Sequence, residues 1–133
     1  MWIKIGGELI SLSGVREIKR TEDNAVRLVY PGESVSICNF TTAEAAQDFI
    51  DNLYKKLTFG SWVTDTKGAL RNLKTAHKIE VGTSAGKSKV YATFALSNKT
   101  NDPAFYEMAT LATFDNETDA IKYRDELKEL LNK

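Results

Sequence analysis

Cysteine and histidine are almost missing from this 133-residue chain, where Cys38 and His77 each stand alone. A single cysteine excludes an intrachain disulfide and a thiolate metal cluster, and a single histidine leaves no set of partners for a His-based zinc or nucleophilic site. Cys38 reads as a half-buried strand cysteine rather than a nucleophile. No apolar run approaches the roughly 18 residues needed to span a bilayer. The first residues, MWIKIGGELI, carry no basic segment followed by an apolar stretch and a small-residue cleavage site, so a cytoplasmic location is expected. Net charge is missing as well. Eighteen basic residues balance eighteen acidic ones, which argues against a partner held by overall charge alone.

What is present is pattern. Residues 40–57, FTTAEAAQDFIDNLYKKL, have the spacing of an amphipathic helix, with Ala46, Phe49 or Ile50, Leu53 and Leu57 on one face and Glu44, Asp48, Asp51 and Lys55 on the other. Thr41 suits the N-cap and Glu44 the third position of a capping box. The pattern returns at 114–131, where Asp115 or Asn116 can cap and Ala120, Tyr123, Leu127, Leu130 and Leu131 form the stripe. Upstream, Trp62 answers Trp2 at an offset of 60, and Gly68, Leu70, Leu73 and Ile79 answer Gly7, Leu9, Leu12 and Ile18 at 61. Between these landmarks lie alternating segments expected as strands: 2–5, 8–20 interrupted near Ser13-Gly14, 25–30 and 34–39, with Val35 and Ile37 inward. The second half offers a strand starting at Trp62, then 69–79, 89–96 and 105–114. The fold expected is α+β, a tandem duplication of a four-stranded antiparallel meander plus helix (ββββα-ββββα) with pseudo-twofold symmetry. It would form a single compact domain of two repeats, 1–58 and 61–133, that share one core, because about 60 residues alone would bury a marginal one. Trp2 and Trp62, at matching places, are expected to pack that core.

Catalytic signatures fail on inspection. Gly82-Thr83-Ser84-Ala85-Gly86-Lys87-Ser88 looks like a phosphate-binding loop, but it has three residues between its glycines where four are needed, and a strand rather than a helix follows. It reads as a flexible hairpin loop. The carboxylate pairs Asp48 with Asp51, and Asp125 and Glu126 with Glu129, fall on wet helix faces where nothing raises a pKa. Asn101 and Asp102 lack the alternating ligands of a calcium loop. No metal, no cofactor and no enzymatic activity are expected.

The charge is unevenly placed. Residues 61–99 hold seven basic and two acidic residues, whereas the two helical regions and residues 101–114 are net acidic. Arg71, Lys74, Lys78, Lys87, Lys89 and Tyr91 therefore form the candidate nucleic-acid-binding set, with Lys4, Arg16, Lys19 and Arg27 as weaker counterparts. Basic side chains neutralise phosphates, and an exposed ring stacks on any base. The order of elements, a meander and helix twice over, resembles the Whirly-like single-stranded nucleic-acid-binding fold. That resemblance implies a small non-enzymatic protein that binds single-stranded DNA or RNA, or regulates, across exposed strands. The alternative is a protein-interaction or assembly module, including self-association, that uses a sheet face or edge backed by Val29, Cys38 or Leu111.

Overall fold

A computed structural model describes residues 2–57, 61–95 and 106–132. The order is β1 (Trp2–Ile5), β2 (Glu8–Ser11), β3 (Glu17–Arg20), β4 (Ala25–Tyr30), β5 (Glu33–Asn39), α1 (Ala43–Lys56), then β6 (Trp62–Thr64), β7 (Leu70–Asn72), β8 (Ala76–Ser84), β9 (Lys87–Ala95), β10 (Tyr106–Phe114) and α2 (Glu117–Leu131). The class is α+β, with ten strands in three antiparallel sheets and two helices among the described residues. Two four-stranded meanders are not what the chain builds. Among the described residues five strands precede each helix, and they are shared among a two-stranded sheet β1-β2, a three-stranded sheet β10-β9-β8 and a five-stranded sheet β5-β4-β3-β7-β6.

The split between β2 and β3 has a local cause. Leu12 and Val15 both turn into the core, at 4% and 1% exposure, and Val15 N–H donates to Leu12 C=O at 3.2 Å, so no straight strand can run from 8 to 20. The same turn closes Leu73 to Ala76, with Ala76 N–H on Leu73 C=O at 3.1 Å. Other details recur at fixed offsets. Trp2↔Ser11, Ile3↔Ile10 and Lys4↔Leu9 in one hairpin match Trp62↔Asn72, Val63↔Arg71 and Thr64↔Leu70 in the other. The β4–β5 ladder skips Ile37 and the β9–β10 ladder skips Leu111, 74 residues on. Each skip is a bulge that turns two successive side chains inward. Leu111 and Ala112 are both fully buried, and Ile37 and Cys38 both pack on the core. Leu111 is thus no wet-face residue, and Cys38 is half-buried.

The helices follow their stripes. Ala46, Ile50 and Leu53 are buried on α1 and Leu57 at its C-cap, and Ala120 and Leu127 are buried on α2. The α1 cap is Thr42 rather than Thr41, because Thr42 has the extended backbone an N-cap requires and its Oγ1 accepts from Ala45 N–H at 3.1 Å. Asn116 caps α2, its Oδ1 accepting from Asp119 N–H at 2.8 Å. Phe40 against Phe49, and Phe114 against Tyr123, seal the two helix starts at 5.7 and 5.6 Å between ring centroids.

The core is two clusters. One gathers Ile18, Val26, Leu28, Ile50 and Leu70; the other gathers Val90, Ala92, Phe94, Leu111 and Leu127. The β6–β7 hairpin joins them, since Leu70 and Trp62 face the first cluster while Val63 and Leu73 face the second. It enters the five-stranded sheet through Glu17↔Arg71 and Ile18↔Leu70. Asn72 extends that junction, donating from its N–H to Arg16 C=O at 2.8 Å and from Nδ2 to Val15 C=O at 3.0 Å. The Arg16 guanidinium also lies over the Phe94 ring, 4.7 Å from its centroid. Trp2 does not pack the core. It is 66% exposed, and the edge residue Val35 is 46% exposed rather than inward.

Candidate functional site

Asp65 opens the turn between β6 and β7 and organises it. Its Oδ1 accepts from Lys67 N–H at 2.9 Å and Ala69 N–H at 3.0 Å, while its Oδ2 accepts from Arg71 Nε at 3.0 Å. Arg71 also reaches Glu17 through Nη2 at 3.1 Å. A guanidinium between two nearly buried carboxylates has spent its charge within the fold. The turn is then fastened to the other sheet, as Thr66 N–H donates to Leu111 C=O at 3.0 Å beside the β10 bulge.

This junction leaves a cleft of about 340 Å³ lined by Thr66, Lys67, Arg71, Lys89, Thr110 and Thr113, with Met108 at its mouth, 57% exposed. Lys89 and Tyr91 lie on the same face of β9, opposite the buried Val90, Ala92 and Phe94. Tyr91 is half-buried, with its ring packed over Gly82, where an added Cβ would stand 2.9 Å from Cε2. The pattern of an aromatic ring covering a strand glycine leaves the ring only partly open for stacking.

Lys87 forms an ion pair with Asp115 at the start of α2, and that contact holds the Asp115 carboxyl below its ordinary pKa. Lys78 pairs with Glu80 at 3.2 Å along β8. Lys74 lies beyond β7 beside a second cleft, with Gly14, Trp62 and Asn72. The registers place Lys78, opposite Thr93, and Lys87 on the same face of the β10-β9-β8 sheet as Lys89 and Tyr91, but Lys78 and Lys87 are each paired with a carboxylate there; Arg71 lines the cleft with Lys89, and Lys74 lies apart. The hairpin between β8 and β9 is a two-residue turn at Ala85-Gly86, tighter than a flexible loop. The turn-rich segment 97–103, expected as a long insertion between strands, and Phe59 and Gly60 of the expected Phe59-Gly60-Ser61 link lie outside the described residues.

Sequence reading missed Lys67, Thr110 and Thr113 of the cleft, which only the docking of the turn onto β10 brings together. It also missed the exposed apolar residues. Leu9 is 68% exposed and lies on the same face of the β1–β2 hairpin as Lys4 and Trp2. Among the described residues, no helix is long and apolar enough to cross a membrane, and no three His, Cys, Asp or Glu side chains are grouped to hold a metal ion. No protein-family model, curated protein or solved structure matches the chain.

Proposed function

We propose that this chain is a non-catalytic interaction or assembly module that joins another protein chain through the open β1–β2 hairpin, and that its two halves are copies of one unit of five strands and a helix. The matching registers, bulges and caps support the second statement. One observation carries the first. Two hairpins of the same build meet different fates: β6–β7 sits between two cores with Leu70 completely buried, whereas β1–β2 turns Trp2 and Leu9 outward at 66% and 68% exposure. A two-stranded hairpin is marginal alone, and its unpaired edge offers N–H and C=O groups to a further strand. Exposed apolar side chains next to such an edge mark an interaction surface.

The test is retention of native partners, including further copies of the chain, on immobilised wild-type protein and on a Trp2→Ser, Leu9→Asp variant. A partner held by the first and lost by the second is expected. Identical sets on both would remove the hairpin from the interaction.

A second reading rests on the cleft with Lys67, Arg71 and Lys89 on the face of Tyr91, and the Whirly-like element order belongs with it. Single-stranded DNA or RNA would lay a phosphate by the two lysines, whose charges carry no carboxylate partner among the described residues. Fluorescence anisotropy with labelled oligonucleotides should then weaken steeply with salt and vanish in Lys67→Glu, Lys89→Glu. Binding unchanged in that variant would take the site away.

A further inference from the structure

Resting on the interaction reading, we infer that the partner of the β1–β2 hairpin is a second copy of this chain, and that its seat is the edge of β8 that no described strand covers. In the first half the edge of β3 is covered by β7. Leu70 lies opposite Ile18 and enters the same cluster as Ile50 of α1, all three at 0% exposure, and Gln47 Nε2 donates to Gly68 C=O at 3.0 Å to fix the turn over the helix. The offsets of 61 and 74 carry Val15, Ile18 and Ile50 to Ala76, Ile79 and Arg124. Those three residues line an open cleft of about 370 Å³ between β8 and α2. Among the described residues, none fills in the second half the place that Leu70 fills in the first.

The residue that would fill it is Leu9, which matches Leu70 in sequence and in hairpin register. Its own chain holds it away from that cleft. The inner face of the hairpin is fixed to the first core through Ile3, at 8% exposure, and through Leu12 directly after β2, and only residues 12–16 separate β2 from β3. A second chain meets no such restriction. Docked in the register of the β3–β7 junction, β2 sets Leu9 opposite Ile79 and Ile10 opposite Lys78, so Glu8 faces Glu80. The sheet would become β10-β9-β8-β2-β1, the counterpart of the existing β5-β4-β3-β7-β6. Exchange in both directions pairs the β2 edge and the β8 edge of each chain and closes the assembly as a symmetric dimer.

The experiment is sedimentation of the full chain across the micromolar range. A species of twice 14.8 kDa is expected, and Leu9→Asp should weaken its formation by at least about tenfold while Val35→Asp, on the separate β5 edge, leaves it intact. Circular dichroism checks that both variants fold. In a Cys38→Ser background, Glu8→Cys together with Glu80→Cys should then oxidise to a disulfide between chains. A monomer throughout, a dimer indifferent to Leu9→Asp, or a disulfide confined to one chain would each overturn the inference. A monomer whose hairpin still retains a different protein overturns it while leaving the interaction reading in place.

Discussion

Arg71 and Asp65 form a largely enclosed ion pair, 3.0 Å from Nε to Oδ2, with side-chain exposures of 21% and 2%. Glu17 completes the group from the neighbouring strand. Arg71→Met would leave two carboxylates nearly buried without their cation, so a loss of about 3 kcal/mol is expected in urea unfolding. Arg71→Lys should recover part of it, because an ammonium cannot serve both acids through a rigid fork. A loss below about 1 kcal/mol would mean that the group behaves as an ordinary surface pair.

The β8–β9 turn carries a removable strain. Ala85 stands at φ +52° and Gly86 at φ +77°, the left-handed pair that a two-residue hairpin requires, and an alanine pays a steric cost there. Ala85→Asn should raise stability by about 0.5–1 kcal/mol, visible as a thermal midpoint a few degrees higher, whereas Gly86→Ala should lower it. A lower midpoint for Ala85→Asn would show that the turn does not limit the hairpin.

Helix faces were legible because a stripe such as Ala46, Ile50, Leu53 and Leu57 depends only on local spacing. Strand faces were partly so: Val90, Ala92 and Phe94 alternate inward as their spacing indicates. Sheet membership was not legible, since alternation shows which side a residue faces but not which edge its strand joins. Leu70 and Leu9 have similar local sequence, and only the distant strand β3 makes one a core residue. Bulges also mislead a strict alternation, which is how Leu111 came to be placed on the wet face. The basic set shares much of one sheet face but is partly neutralised by counter-charges that come from other elements, Glu17 from β3 for Arg71 and Asp115 before α2 for Lys87, which no local spacing reveals.

Alkaline pH should weaken the fold through two half-buried groups. Burial pushes the Cys38 thiol above its ordinary 9.0, and burial, then the charge of Asp65, pushes the Tyr123 phenol above 10.0. Both folded values lie above the unfolded ones, so their contributions are complete below pH 9 and are lost as pH rises through the raised values. The unfolding midpoint should therefore fall from about pH 9 upward, and Cys38→Ala with Tyr123→Phe should flatten that decline. An unchanged decline in the double variant would assign it to other groups.

The sharpest contrast is between Leu9 and Leu70 at equal chemistry. Leu70→Ala removes a side chain at 0% exposure between Ile18 and Ile50, so it should cost about 3 kcal/mol in transfer and cavity terms. Leu9→Ala, measured at a concentration too low for association, should change stability by less than about 0.5 kcal/mol, because solvent already surrounds the side chain. The difference isolates what the partner strand supplies, since both leucines hold the same hairpin register. As concentration rises, the wild-type unfolding midpoint should climb by mass action and that of Leu9→Ala should lag behind it. Equal costs for the two substitutions in dilute solution would show that the chain covers Leu9 by itself, and the hairpin would then have no open face to offer.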